Sequence, residues 1–322
     1  MLFGVVIPAT SQVTNYFTQA FTPAVGKLLL SPASYSGLYR ENEPIQISVS
    51  DGGTVRVINL DGATVYQGAP TSLTLTPGHY FVETAGDRTQ FAVLPADYAG
   101  GHLLGTETWG GRQTDWPVGE RMDRMKATWA RVMGEGYWST VEPQPGVWNW
   151  SALDVCVATN QAAGRKLFVM AYVRPAWQTN DAQFVSGFAN YVKQMAQRYN
   201  GKIYGIQIWN EPWYGPDVPW EWRFAGTNLT QFVTSYVTLL QAAHNAIRSV
   251  SSTIKIIGPD WDSNEQNWPT PALEEFVRQG GHQWLDVYTW HDDNYDVAPD
   301  APSRYQRVDQ RLQYVKNQVG DR

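Results

Sequence analysis

Residues 202–212 read Lys-Ile-Tyr-Gly-Ile-Gln-Ile-Trp-Asn-Glu-Pro. Lys202–Trp209 is apolar enough for a strand buried on both faces, and it ends abruptly in Asn210, Glu211 and Pro212. Strands of that kind belong to parallel sheets covered by helices. The neighbouring segments supply the helices. Phe184, Phe188, Tyr191, Val192 and Met195 recur at helical spacing before the run, and Phe232, Tyr236, Leu239, Leu240 and Ala243 do so after it.

Working outward, the same alternation fills residues 98–322. Strands are predicted at 102–108, 127–134, 166–173, 202–209, 254–258 and 285–290. Helix signals lie between them. Ser151 with Asp154 has the form of a capping box, and Gly164 is a helix stop. Thr270-Pro271 marks another helix start and Gly280-Gly281 its end. Tyr305, Val308, Leu312 and Val315 mark a last helix. Thr108-Trp109-Gly110-Gly111 lacks the G-x-G-x-x-G spacing of a dinucleotide-binding sheet. Polar and aromatic residues gather instead at the C-terminal ends of several strands, where (β/α)8 barrels place their chemistry. The expected fold is therefore α/β, a TIM-type (β/α)8 barrel. Six strand–helix units are legible, and the region is shorter than the roughly 250 residues of a complete barrel. The barrel is expected to be incomplete, with strands seven and eight lacking.

The first third of the chain has a different period. Residues 1–37 show little pattern and read as a leader or linker. Residues 38–97 carry short alternating strands such as Ile45–Val49 and Thr54–Leu60, broken by Asp51-Gly52-Gly53, Asp61-Gly62, Pro77-Gly78 and Ala85-Gly86-Asp87. That spacing predicts a small all-β sandwich preceding the barrel, accessory in role.

Composition narrows the function classes. The chain has 322 residues, a net charge of -6 and no Lys/Arg cluster, which argues against a nucleic-acid partner. No apolar run is long enough to span a membrane. The N-terminus lacks the charged region of a signal peptide, since Lys27 is the first Lys or Arg; localisation stays open, with export favoured by a polysaccharide substrate. Cys156 is the single cysteine and reads as a buried apolar residue. The 15 Trp are the unusual feature. Trp offers a flat apolar face and one N–H donor, suited to stacking on a sugar ring, although core packing accounts for most of them.

Ile206-Gln207-Ile208-Trp209-Asn210-Glu211-Pro212 resembles the fourth strand of glycoside hydrolase clan A, the retaining (β/α)8 glycosidases that include xylosidase-type family 39 and cellulase-type family 5. Trp138–Pro143, followed by Gly146–Trp150 and Leu153-Asp154, is similar to the clan's second loop and helix. Tyr172–Trp177 is similar to the end of strand three in family 39, and Asp286–His291 to strand six. The ordered set is more specific than Asn-Glu-Pro alone.

The resemblance implies a glycoside hydrolase acting on a β-linked oligo- or polysaccharide. Such enzymes use two carboxyl groups about 5–5.5 Å apart, one an acid/base and one a nucleophile. Glu211 is implied as the acid/base. Asn210 would hydrogen-bond the sugar 2-hydroxyl, Arg131 would orient the nucleophile, and His291 and Tyr295 would line the sugar site. Trp138 and Trp177 are stacking candidates, with packing as the alternative for each, and Trp209 is the aromatic neighbour of Glu211 in the site. The clan's nucleophile ends strand seven and is expected beyond residue 322. Asp260, Asp292 and Asp293 lie near strand ends, but on the wrong strands by resemblance. No metal site is expected, because His291-Asp292-Asp293 has no second His or Cys at ligand spacing, and no organic cofactor is implied. The alternative is a non-catalytic carbohydrate-binding barrel or an inactive fragment, and residues 1–322 alone are expected to be inactive.

Overall fold

The computed structural model describes residues 28–31, 37–50, 52–97, 105–108, 122–212, 229–261, 271–290 and 313–318. They form two compact units. One is mainly β and includes residues 122–129; the other is built on Ala130 onward.

Eight strands make the first unit: β1 (Leu28–Ser31), β2 (Leu38–Arg40), β3 (Ile45–Val49), β4 (Val55–Asn59), β5 (Thr64–Gly68), β6 (Ser72–Leu73), β7 (Gly78–Glu83) and β8 (Arg88–Leu94). They form a three-stranded sheet, β1-β3-β6, and a five-stranded sheet, β2-β8-β7-β4-β5. Alternation decides which residues face inward. Ile45 and Ile47 from the first sheet meet Tyr39, Val55, Val57, Tyr80, Val82, Phe91 and Val93 from the second in one core. Strand β1 lies inside the stretch read as leader and pairs antiparallel with β3, Leu28 opposite Val49. Its four residues are too few to show a period. Arg124 forks onto Glu43 at 2.7 and 3.0 Å, and this holds the Glu43 carboxyl below its usual range.

A third sheet has six strands: β9 (Gly105–Thr108), β10 (Trp129–Val132), β11 (Lys166–Ala171), β12 (Gly205–Ile208), β13 (Lys255–Trp261) and β14 (Val287–Trp290). Their order in the sheet is their order in the chain. The β11–β12, β12–β13 and β13–β14 pairs are parallel. A doubly wound sheet reverses its strand order at a switch point, whereas a barrel adds each strand beside the last. The six described strands follow the barrel rule, so the expected α/β barrel topology holds across them. All four residues of β12 are buried, as a strand covered on both faces requires.

The helices sit where the apolar spacing puts them. In Asp181–Tyr199, residues Phe184, Phe188, Tyr191, Val192 and Met195 are fully enclosed. The Leu229–Arg248 helix packs against it and buries Phe232, Tyr236, Leu239, Leu240 and Ala243. Each of the larger of these side chains contributes about 1.5–3 kcal/mol by leaving water. The Pro271–Arg278 helix begins on its proline, as predicted, and Gly280 follows it with φ of 73°. Helix Ser151–Ala162 ends before Gly164, also at positive φ.

The capping box does not form. Trp150 is the N-cap and offers no side-chain bond. Asn149 Oδ1 instead accepts from the Ser151 N–H at 3.2 Å and its hydroxyl at 2.7 Å. Asp154 is drawn away to Arg198 and the Tyr199 hydroxyl. Strand β13 also runs past the predicted stop at Gly258, through Pro259 and Asp260 to Trp261. Of the last predicted helix, 313–318 is helical with Val315 buried, while Tyr305, Val308 and Leu312 lie outside the described residues.

Cys156 is buried in Ser151–Ala162, and burial, with the nearby Glu135 charge, pushes its thiol up to about 12. At pH 8 the thiolate is therefore scarce as well as shielded. A chromogenic disulfide reagent is expected to leave the folded chain unmodified and to titrate one thiol per chain after unfolding. Rapid modification without denaturant would contradict the packing described.

Candidate functional site

The C-terminal ends of β11, β12 and β13 are pinned to one another by backbone bonds. The Trp209 N–H donates to Ala171 O at 2.9 Å and the Glu211 N–H to Asp260 O at 3.1 Å. The backbone is unusual here. Among the described residues six non-glycines have positive φ, and four of them lie at these strand ends: Val173 (57°), Trp209 (70°), Glu211 (42°) and Asp260 (58°). Each such residue costs of order 1–3 kcal/mol, and such strain concentrates at functional sites. The turn at Trp209 sends its ring into the core and leaves Asn210 and Glu211 half-buried beyond it.

Four side chains from three strands converge below that turn. Arg131 from β10 donates through Nε to Gln207 Oε1 at 2.9 Å. Its Nη2 donates to Asn210 Oδ1 at 2.6 Å and to Asp260 Oδ2 at 2.8 Å. Gln207 Nε2 donates in turn to Asp260 Oδ2 at 2.6 Å and to Trp209 O at 2.8 Å. Asn210 Nδ2 then reaches Glu211 Oε2 at 3.3 Å. The Arg131 and Asp260 side chains are only 13% and 5% exposed. A buried ion pair is tolerated when further hydrogen bonds support it, and Gln207 and Asn210 supply such bonds here. From the far side, the Tyr236 hydroxyl donates to Ile208 O at 3.0 Å. Burial first, then the Asp260 charge, pushes the Tyr236 phenol well above its ordinary value, so it stays a neutral donor. Gly258 makes room for that contact, because a Cβ there would stand 2.9 Å from the Tyr236 oxygen.

The structure thus brings together three residues singled out from the sequence, Arg131, Asn210 and Glu211. Arg131 meets Asp260 as its carboxylate partner among the described residues, and the nucleophile it was expected to orient is not among them. His291 and Tyr295, and likewise Asp292 and Asp293, lie outside the described residues. Of the three tryptophans, Trp138 takes the packing place that was the alternative to stacking, and Trp209, the neighbour of Glu211 in sequence, turns its ring into the core. Trp138 is 0% exposed, stacked on Tyr191 at 5.8 Å, with its N–H given to Glu142 Oε2 at 2.6 Å. Trp209 is 2% exposed among Tyr172, Phe184 and Phe188. A ring enclosed on both faces has nothing to offer a ligand. Trp177 is half-buried, edge-on to Trp138, its N–H donating to Glu142 O at 2.8 Å. It keeps surface for a ligand.

Gln207 had no expected role, and Asp260 was weighed only as a carboxylate on the wrong strand for a nucleophile. Gln207 was visible as the one polar residue within Gly205–Ile208, and an uncharged amide inside a doubly covered strand implies buried partners. Asp260 sits just past the Gly-Pro step read as the strand's end. Among the described residues no group of three or more His, Cys, Asp or Glu is placed to hold a metal ion, and no helix is long and apolar enough to cross a membrane.

No family model and no curated protein matches the chain. Solved structures do. A family 39 glycoside hydrolase from the gut symbiont Bacteroides cellulosilyticus WH2 is 17% identical, with a TM-score of 0.57, over 82% of this chain and 57% of that one. A thermostable mutant of a xylanase from Cellvibrio japonicus is 14% identical, with a TM-score of 0.51, over 67% of this chain and 66% of that one. A psychrophilic family 10 endo-β-1,4-xylanase is 13% identical, with a TM-score of 0.50, over 67% and 71%. This chain therefore spans little more than half of the family 39 structure's length. The described residues from β9 onward share the barrel fold of these glycoside hydrolase structures.

Proposed function

We propose that the chain is the acid/base-bearing part of a retaining glycoside hydrolase that cleaves β-linked oligo- or polysaccharides by double displacement. Glu211 protonates the departing glycosidic oxygen and then removes a proton from the attacking water. The nucleophile is a Glu on a barrel strand that follows those described, beyond residue 322. The observation that carries the reading is the Asn210–Glu211 step at the end of β12, half-buried and joined by hydrogen bonds to Arg131. The likeness in fold to family 39 and family 10 enzymes supports it.

A second reading, a carbohydrate-binding barrel without hydrolysis, draws on one observation. Asp260, the other described carboxylate at these strand ends, is 5% exposed and already bonded to Arg131 and Gln207. A carboxylate that buried does not reach a sugar, so Glu211 is the more accessible of the two carboxyls at these strand ends. The test is to incubate the full-length protein with a panel of aryl β-glycosides and follow the released sugar by proton NMR. Hydrolysis with the β-anomer appearing first supports a retaining enzyme. The α-anomer first would overturn retention. Oligosaccharide binding without turnover would favour the second reading.

A further inference from the structure

The hydrogen bonds around Arg131 have a fixed polarity. A guanidinium only donates, so Asn210 meets Arg131 Nη2 through Oδ1, at 2.6 Å. That turns the Asn210 NH2 toward Glu211, where Oε2 accepts at 3.3 Å. An oxygen that accepts the amide is not the one carrying an acid proton toward a substrate, which leaves Oε1. The orientation of one amide therefore selects the reactive oxygen of Glu211.

Arg131 does not hold this position alone. Its Nε is fixed on Gln207 Oε1, and the Gln207 amide cannot flip, because its Nε2 serves both Asp260 Oδ2 and Trp209 O. Asp260 Oδ2 receives Arg131 Nη2 and Gln207 Nε2 together. The Asp260 carbonyl also accepts the Glu211 N–H. Asp260 thus grips Glu211 twice, directly through the backbone and, through Arg131 and Asn210, at the side chain. Its charge balances that of Arg131 where both side chains are largely buried.

We propose that Asp260, braced by Gln207, is a positioning residue for the acid/base: it orients the Asn210 amide and so assigns the transferable proton to Glu211 Oε1. The proposal rests on the reading of Glu211 as acid/base. A merely structural Asp260 and a positioning Asp260 differ in one measurable respect. Loss of folded enzyme lowers every rate by the same factor, whereas a misdirected acid harms only substrates whose leaving group needs a proton.

The experiment compares kcat/KM of the full-length protein for alkyl and dinitrophenyl β-glycosides in Asp260→Asn and Gln207→Met, with Glu211→Ala alongside. Asp260→Asn keeps an acceptor for Arg131 and removes the charge. Gln207→Met removes the brace at similar size, and decides the matter if Asp260→Asn does not fold. Each is expected to lose at least about tenfold more on alkyl than on dinitrophenyl substrates, a fraction of what general acid catalysis contributes. Equal losses on both substrates, or no loss, in variants that melt cooperatively would overturn the positioning role while Glu211→Ala still discriminates. If Glu211→Ala itself fails to discriminate, the acid/base reading falls and this proposal falls with it.

Discussion

Glu211→Ala in the full-length protein is expected to lower kcat/KM for alkyl β-glycosides by about 10²–10⁴-fold, the usual worth of a positioned general acid. For dinitrophenyl glycosides the same substitution is expected to cost less than about tenfold in kcat/KM, because an acidic phenol departs without a proton and the first step then has no use for the acid. The second step should still suffer. Water needs a base to attack the glycosyl-enzyme, so kcat for the activated substrate falls and the intermediate accumulates. Azide needs no deprotonation and should restore kcat, yielding the β-glycosyl azide. The three results form one signature, and steady-state rates with product analysis measure all of it. A uniform loss on both leaving groups without azide rescue would mean that Glu211 acts only through the fold. The strained backbone makes that alternative specific: Glu211 has φ of 42° and is held by Asp260 O, so its main chain stays in place when the side chain is truncated.

How far the sequence announced this arrangement depended on how many residues each feature needs. Six strands in chain order, parallel across β11–β14, and two long amphipathic helices were legible because each repeats its period several times, and Phe184, Phe188, Tyr191, Val192 and Met195 are enclosed as their spacing requires. Strand β1 was not, since four residues carry no period. The false capping box shows a pattern overruled by a stronger partner: Asp154 pairs with Arg198, and Asn149 serves Ser151 instead. At the site, Arg131, Asn210 and Glu211 were named through a resemblance of motifs. Their mutual geometry was not legible, because it depends on contacts 79 and 129 residues apart in the chain. Asp260 illustrates the limit. A Gly-Pro step normally ends a strand, yet β13 continues through it with a register shift between Pro259 and Trp261, and the carboxylate turns inward to Arg131.

Tryptophan left two readings open for a related reason: the ring that suits a sugar also suits a core. A pair of substitutions separates the two uses. Trp138→Ala is expected to destabilise the barrel unit by about 3–5 kcal/mol, the usual cost of deleting a fully buried large aromatic. The ring touches Trp177, Phe184, Phe188 and Tyr191, and Gly187 packs against it so closely that a Cβ there would lie 3.0 Å from its edge. Its removal also takes the donor from Glu142 Oε2, a carboxylate 5% exposed, although Glu142 Oε1 keeps the Gly146 N–H. For a unit of this size the loss corresponds to a fall in melting temperature of roughly 6–20 °C. Trp177→Ala deletes a half-buried ring and one N–H bond to Glu142 O, so a shift of only about a third as much is expected, with weakened binding of oligosaccharide as its main effect. Calorimetric melts and oligosaccharide titrations of both variants are the measurement. A small melting shift in Trp138→Ala with loss of binding would return that ring to the sugar site. The opposite pattern places carbohydrate contact at Trp177, on the residue of the pair that keeps a face to offer.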